Sequence, residues 1–513
     1  MSLLSRLLRR FSPRARAPRE VCGQNGDGRA IRARFDAADD LNETRVLWAR
    51  ADALDADAAN SLAVRKKLRN RSRYERSNNG YADGIVDTQA NYVIGRGPKV
   101  RVETASPGFN AMVEAAWKRW CQAVKFSRKL RTLCKAKTGD GEGVALLFNN
   151  PLLGDRVQLD LRPIETDRVT APVGSGAEDG YVDGVRFDQY GNLLAYDVLR
   201  RHPGAAWSGF AQQEYDVWPA RFVLHWFGAD RADQHRGVPD TTPSLNLGAT
   251  SRRYREAVLA AAETAADFSA VLEMPAGEDG PDAARPFSAM PIEKRMFVAT
   301  PAGAKLAPMR AEQPTTTYES YNRAQICEQA RPLSMPYNIA ACDSSDYSFS
   351  GGRLDHTTYF VAVDIERDDC ESLVIDPLFA AWFAEAAAAY GWSADGAAVP
   401  THSWDWPAQP QIDQQKTSVA RRNNLGTGAT SLSRVYAEDG ADFEDELIVL
   451  AKDYGVGVAE MRQILLEANL RNQSKQSADN QSADNPPPVD EQIRRRPARA
   501  AAHRNGRSLT PTF

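Results

Sequence analysis

The longest helical pattern in the chain runs from Thr242 to Glu273, TPSLNLGATSRRYREAVLAAAETAADFSAVLE. Thr242 suits a helix N-cap and Pro243 the first helical position, where a missing N–H costs nothing. Leu247, Tyr254, Val258, Ala261, Ala265, Phe268 and Leu272 fall on one stripe, mostly with gaps of four and three. Ala257, Ala260, Ala262 and Ala266 widen the stripe with small side chains, so a neighbouring helix could come close. Gly248 is its weak point, at about 1 kcal/mol against Ala. Glu263, Asp267 and Glu273 place negative charge in the C-terminal half, where the helix dipole disfavours it. Local stability did not choose those charges. The pattern predicts either a long core helix or a pillar packed against copies of itself.

Around this stretch the period alternates. Residues 57–94 read as helical, and Gly95, Gly97 and Pro98 make a stop. Lys99–Glu103 reads as a short strand, Phe109–Ala123 as an amphipathic helix and Lys125–Lys137 as a basic one. Gly143–Phe148, Gln158–Pro163, Tyr181–Phe187, Leu193–Leu199 and Arg221–Phe227 read as strands, with a hairpin turn at Asp188–Asn192. Residues 140–230 are therefore a β-rich block inside a helical protein. Residues 275–313 are rich in proline and glycine and predict a loop-and-strand module. Thr317–Arg331 reads as a helix, Pro332–Gly352 as a long polar loop, and Leu354–Asp376 and Leu378–Tyr390 as helices with Pro377 marking a break or kink. Trp404, Trp406 and Pro407 lead into a mostly helical segment, Gln414–Ala468. After about residue 471 the chain is of low complexity, with QSADN twice and then PPP, and reads as disordered.

Charge sharpens the picture. The net charge is −3, but residues 1–34 hold nine Arg against two acids and residues 486–513 six Arg against two acids, leaving 35–485 at −14. Basic tails on an acidic body imply a polyanion gripped by the tails or held off by the body. The six cysteines, Cys22, Cys121, Cys134, Cys327, Cys342 and Cys370, form no CxxC pair and fit a reducing compartment. No window holds the run of about eighteen uncharged apolar residues that a membrane span needs.

Chemistry is sparse. The dipeptide Gly-Lys does not occur, which excludes a Walker-type nucleotide loop, and there is no G-x-S-x-G, HExxH or dinucleotide fingerprint. His225 and His235, with Asp230 and Asp233 between them, are the one metal-like cluster, at a spacing that matches no standard site. The acid pairs Asp343/Asp346 and Asp368/Asp369 could do acid–base work, but solvated faces explain them as well. For nucleic acid the strongest local signal is RKKLRNRSRYERSNN at 65–79, with seven positive residues. No catalytic, cofactor or metal site is assigned. The alternatives kept open are a nucleic-acid-binding adaptor using 65–79 and a hydrolase around His225 and His235.

Four stretches in order resemble the portal protein of lambda-type tailed phages. They are Arg71–Gly97 (RSRYERSNNGYADGIVDTQANYVIGRG); Leu224-His225-Trp226-Phe227 followed by Arg236-Gly237-Val238-Pro239; Tyr347–His356 (YSFSGGRLDH); and Trp404–Lys416 (WDWPAQPQIDQQK), where Gln414 stands in place of the usual proline. The resemblance implies an α+β portal fold with a helical stem, a β-containing wing and clip, and a helical crown, closed into a ring oligomer, typically a dodecamer. It divides the chain into a basic arm (1–34), wing (35–241), stem helix (242–273), clip (274–313), second stem helix (314–331), tunnel loop (332–352), tunnel helix and wing return (353–390), crown (391–470) and tail (471–513). It implies subunit packing through Tyr254, Val258, Ala261, Ala265, Phe268 and Leu272. It implies a DNA-facing loop comprising Asp343, Ser344, Ser345, Asp346, Tyr347, Ser348, Phe349 and Ser350, with Arg353. The implied partners are double-stranded DNA, terminase, head-completion or tail proteins, and capsid and scaffold proteins, with no cofactor and no membrane. The implied place is the capsid vertex of a virion assembled in a bacterial cytoplasm.

Overall fold

Tryptophans locate the main core. The helix Pro107–Val124 buries Val113, Ala116, Trp117, Trp120 and Val124 at helical spacing, and Trp117 stacks on Trp120 at 4.8 Å between ring centroids. Trp382 meets Trp117 edge-on at 5.0 Å, Phe379 does so at 5.2 Å and Trp404 at 5.8 Å. Three segments far apart in sequence thus share one aromatic cluster. The computed structural model describes residues 21–24, 30–31, 49, 51–171, 180–205, 214–267, 271–273, 305–307, 317–392, 398–407, 414–438 and 443–468.

The chain divides into a small unit, residues 1–61 with 231–233, and a large one, 62–230 with 234–513. In the small unit Val21–Gln24 pairs with Ala30–Ile31, and Asp55 caps a helical turn, Ala56–Ala59. The large unit opens with helices α1 (Leu62–Asn78) and α2 (Gly80–Val93), strand β1 (Lys99–Val102), and helices α3 (Pro107–Val124) and α4 (Phe126–Asp140). Strands β2 (Gly143–Asn149), β3 (Leu159–Ile164), β4 (Tyr181–Val182), β5 (Val185–Phe187), β6 (Leu193–Leu199), β7 (Tyr215–Pro219) and β8 (Val223–Trp226) follow. They form two antiparallel sheets, β8-β2-β3 and β4-β5-β6-β7. Ala145 and Leu147 of β2 face the main core, while Val144 and Leu146 face a second core with Val185, Tyr196 and Val198. A strand covered on both faces needs a continuous apolar run, which is why Gly143–Phe148 shows no alternation.

The expected β-rich block is therefore present, with two differences. Tyr181–Phe187 is a hairpin rather than one strand, folded at Asp183 and Gly184, both at positive φ (37° and 86°). Tyr215–Pro219 is an added edge strand. The Asp188–Asn192 turn is as expected, with Asp188 Oδ1 accepting from the amides of Tyr190 and Asn192, both at 2.8 Å.

The organising helix, α5, spans Leu245–Asp267 and is preceded by a 3-10 turn, Thr242–Ser244. Thr242 lies inside that turn rather than capping the helix. The helix does not reach Glu273. Val271–Glu273 is strand β9, paired with β10 (Lys305–Ala307) and with Leu272 opposite Leu306. Leu272 is thus removed from the helical stripe, because ladder bonds to a segment more than thirty residues on outweigh the local period. Phe268 and most of 274–313 lie outside the described residues.

Helix α6 (Tyr318–Ala330) runs antiparallel to α5. Ser244 Oγ donates to Gln329 O (3.2 Å), Ser251 Oγ to Gln325 Oε1 (2.8 Å), and Tyr254 meets Tyr321 and Tyr318. Gly248 sits between these contacts, facing a small cavity lined by Ser72, Ile85, Val86, Leu245 and Gln329. A Cβ there would lie 3.5 Å from Gln329 Oε1, an ordinary contact. Gly248→Ala is therefore expected to stabilise the chain by about 0.5–1 kcal/mol through helix propensity, read as a higher urea midpoint. A lower midpoint would mean that the helices need the closer approach that glycine permits.

Helices α7 (Phe349–Cys370) and α8 (Asp376–Tyr390) are one rod. Pro377 does not break it, because a π-turn at Glu371–Ile375 absorbs the missing N–H. Residues 350–390 are long and apolar enough to cross a membrane by length and composition. Their apolar side chains Val374, Ile375, Leu378, Phe379, Trp382 and Phe383 nevertheless lie in the protein core. Trp404 lies on strand β11 (His402–Asp405), which pairs antiparallel with β1, and Arg101 meets Asp405 at 2.6 Å. A boundary at residue 391 thus cuts through the main core. Helices α9 (Gln414–Thr427), α10 (Leu432–Glu438) and α11 (Phe443–Tyr454) follow, then a helical stretch at 458–468. Leu447, Ala451 and Met461 form a small core of their own.

Candidate functional site

The basic run at 65–79 lies on α1 and the residue that follows it, and most of its arginines turn inward. Arg69, fully buried, meets Glu142 at 3.1 Å and Asp167 at 3.4 Å. Arg73 holds Asp140 through both carboxylate oxygens at 2.9 and 2.8 Å and also reaches Asp167 at 2.8 Å. Arg65 pairs with Asp183, and Arg76 lies 3.5 Å from Asp83. Burial and the nearby Arg236 guanidinium lower Arg65 to about 10, against the pull of Asp183. Lys66, Lys67 and Arg71 remain on the exposed face. Most of the charge that resembled a phosphate-binding surface is thus an internal ionic network.

Glu142 is the centre of that network and has no exposed surface. Arg236 grips it with two prongs, Nε to Oε1 at 2.7 Å and Nη2 to Oε2 at 2.8 Å. The Gly237 amide donates to Oε1 at 2.8 Å, and His225 Nε2 lies 3.5 Å away. Burial alone would raise Glu142, but Arg236 and then His225 hold it well below the usual carboxylate range. Burial likewise opposes the charge of Asp167, and Arg69 and Arg73 override it, so its pKa is lowered.

These contacts give the Arg236-Gly237-Val238-Pro239 stretch its physical meaning. The arginine neutralises Glu142. The glycine lets the backbone pass so close that a Cβ would sit 2.1 Å from Gly141 O. Gly141, at φ +93°, has Val238 packed where its own Cβ would be, 2.4 Å from the Val238 carbonyl carbon. The paired asparagines are explained in the same way. Asn78 Nδ2 donates to Tyr74 O at 2.7 Å, and Asn79 caps α2 while accepting from Arg255 of α5 at 3.0 Å. Arg252 of α5 meets Glu75 at 3.0 Å. Polar bonds therefore fasten the base of α5 to the α1–α2 corner.

The two histidines of the 225–235 stretch have different surroundings. His225 is buried against Tyr196 (3.3 Å) and Glu142, while the His235 ring lies tilted against Phe187 at 4.4 Å between centroids. Among the described residues no group of three or more His, Cys, Asp or Glu is placed to hold a metal ion. A second ionic cluster lies just before α5. Lys137 of α4 meets Glu366 of α7 at 2.6 Å and Asp240 at 3.2 Å. Burial pushes Asp240 up to about 7, with Glu366 adding to the rise and Lys137 opposing it.

The polar loop is shorter than 332–352. A 3-10 turn (Arg331–Leu333) and a helical turn (Tyr337–Ala340) occupy its first half. Ser348 caps α7, accepting from Gly351 N at 3.2 Å. Phe349, Ser350 and Arg353 therefore belong to α7, with Ser350 and Arg353 exposed. Ser344, Ser345, Asp346 and Ser348 are exposed, and Asp343 and Tyr347 are half-buried. Asp343 Oδ1 accepts from Ser345 N (3.0 Å) and Oγ (2.7 Å). One functional candidate that sequence missed is Arg323 of α6, which meets Asp346 at 2.7 Å. Nothing local to Arg323 signals this, since the pair spans 23 positions. Of the stripe on α5, Tyr254 packs on α6 of its own chain, Val258 is half-buried and Ala261 exposed; Ala265 lies on the helix.

The family model of the phage portal protein, lambda family, matches residues 44–366. The "Probable portal protein" of Halomonas phage phiHAP-1 is 24% identical over 439 residues, covering 79% of this chain and 83% of that protein. Solved structures with similarity include a chain of "Virion of native gene transfer agent (GTA) particle", 13% identical with a TM-score of 0.38, covering 72% of this chain and 92% of that one. Another is from "Neck of empty GTA particle computed with C6 symmetry", 14% identical with a TM-score of 0.37, covering 71% and 91%. With more than half of its length matched by that one family model, and with the matched span holding the Asn78-Asn79 corner, the Arg236–Glu142 lock and the 341–348 loop, the chain belongs to the lambda family of phage portal proteins.

Proposed function

We propose how the parts of this portal protein divide the work at the capsid vertex through which phage DNA passes. Each chain is one wall segment of a closed ring of twelve copies. Helices α5 and α6 are the stem. Residues 274–313 between them are the clip, which meets the terminase motor and later the head-completion or tail proteins. Residues 35–241 are the wing, facing capsid and scaffold proteins. The 341–348 loop and Arg353 face the double-stranded DNA, the α7–α8 rod stands behind them, and the helices from Gln414 to residue 468 are the crown. Assembly takes place in the bacterial cytoplasm, and the protein ends in the virion.

The observation that carries this reading is the antiparallel α5–α6 pair, fastened at one end to the α1–α2 corner and followed, after two short turns, by the polar loop. A helix pair fastened at one end suits a stem. The acidic body suits a conduit: a basic lining would hold each phosphate and slow the duplex in a salt-dependent way. The inward-turned arginines of α1 speak against an adaptor that binds DNA through 65–79.

Purified protein is expected to show rings with a central hole in negative-stain images. A strictly monomeric species at high concentration would overturn the proposal.

A further inference from the structure

Resting on the reading of the 343–348 loop as DNA-facing, we propose that Arg323 is the positioning residue of that loop, tying it to stem helix α6 so that the loop follows the stem. One guanidinium reaches three points of the segment 337–347. Its Nη1 meets Asp346 Oδ2 at 2.7 Å. Its carbon lies 4.4 Å from the Tyr337 ring centroid and 5.5 Å from that of Tyr347. Tyr337 OH in turn donates to Asp343 at 3.5 Å, and Asp343 holds Ser345. Inside the loop Tyr347 N donates to Ser344 O at 3.2 Å, which makes 344–347 one turn. Holding Asp346 and Tyr347 therefore holds the exposed serines between the two ends.

The choice of arginine matters. Asp346 is 64% exposed, and an exposed ion pair fixes little by itself. A planar guanidinium beside two aromatic rings adds direction, because it can face a ring while its edge meets the carboxylate. Lysine can keep the charge but not that geometry. Tyr337 stands on the turn after α6 and Tyr347 just before α7, so the contact also couples the start of the α7 rod to the stem.

The test uses the full chain in assembled rings. Arg323→Ala is expected to speed amide hydrogen exchange across 343–348 by about tenfold, with ring images and melting temperature as in wild type. Particles built with it are expected to hold about tenfold less nuclease-protected DNA. Arg323→Lys and Asp346→Asn, each keeping one part of the contact, are expected to fall between. Unchanged exchange in Arg323→Ala would overturn the latch, whatever the DNA content. Faster exchange with wild-type DNA content would overturn the DNA-facing role of the loop and leave the latch standing. Full restoration of slow exchange by lysine would overturn the part assigned to the rings.

Discussion

Arg236→Ala is expected to destabilise the protein by about 3–5 kcal/mol, the range for stranding one member of a buried ion pair. Glu142 has no exposed surface, and Arg236 supplies two of its shortest contacts. The same guanidinium donates to Val169 O at 3.1 Å and reaches Asp183 at 3.3 Å. Removing it leaves a carboxylate that cannot reach water and a cavity on its open side. Arg69, at 3.1 Å, softens the loss but is shared with Asp167. Arg236→Lys should recover part of the stability, because an ammonium keeps the charge and loses the fork. A double variant, Arg236→Met with Glu142→Leu, should be less impaired than the sum of its singles, since the uncompensated charge disappears with its partner. The readout is the urea midpoint and the yield of soluble protein, because a chain with several cores need not unfold in one step. An unchanged midpoint in Arg236→Ala would show that Arg69 and the Gly237 amide suffice for Glu142.

That ionic centre was also the least legible part of the chain. From sequence, 65–79 offers seven positive charges on a helix, and a solvated face, a phosphate-binding face and a buried face share that pattern. What decides among them is Asp140, Glu142, Asp167 and Asp183, between 67 and 118 positions from their arginines. The strand His402–Asp405 was hidden for a similar reason. Four residues, His-Ser-Trp-Asp, carry little periodicity, and the partner, Lys99–Val102, lies about three hundred residues earlier. Leu272 was misplaced because an alanine-rich stripe continues smoothly past the point where ladder bonds take over. The start of α7 was set too late because Gly351 and Gly352 lower helix propensity, which the cap from Ser348 offsets.

Where the governing interactions are local, the pattern was sufficient. Phe109–Ala123 showed its amphipathic stripe, Asp188–Asn192 its turn chemistry and Gly143–Phe148 its strand character. The Arg236-Gly237 stretch stands between these cases. It was visible as a motif, yet its reason, a carboxylate and a backbone crossing at Gly141, appears only in three dimensions. A resemblance carried by such motifs is informative because each residue answers to a separate physical demand: charge at Arg236, absence of a side chain at Gly237, and a capping amide at Asn79.

The second large effect concerns proton uptake at Asp240. Burial and then Glu366 raise this carboxyl to about 7, while Lys137 holds it down. In the unfolded chain it titrates near 3.8. Between those values the folded state binds more protons than the unfolded one, so the group's contribution to stability is fully present below about pH 4 and is lost as pH rises through about 7. A shift of this size is worth at most about 4 kcal/mol. The Asp240 side chain is 20% exposed, so solvent screening should reduce the measured effect to about 1–3 kcal/mol. Asp240→Asn removes the titration and leaves Lys137 its 2.6 Å contact with Glu366. The variant should gain on wild type steadily from pH 5 to 8, read as the difference between their melting temperatures, and the gain should level off above. Glu142 and Asp167, whose pKa values are lowered, work in the opposite sense and chiefly below about pH 5, outside that window. Asp369 and Glu371 are raised by burial and act in the same direction as Asp240, but they do so equally in both proteins and cancel from the difference. A difference that is flat from pH 5 to 8 would mean that Lys137 keeps Asp240 ionised throughout and that the cluster just before α5 holds no proton.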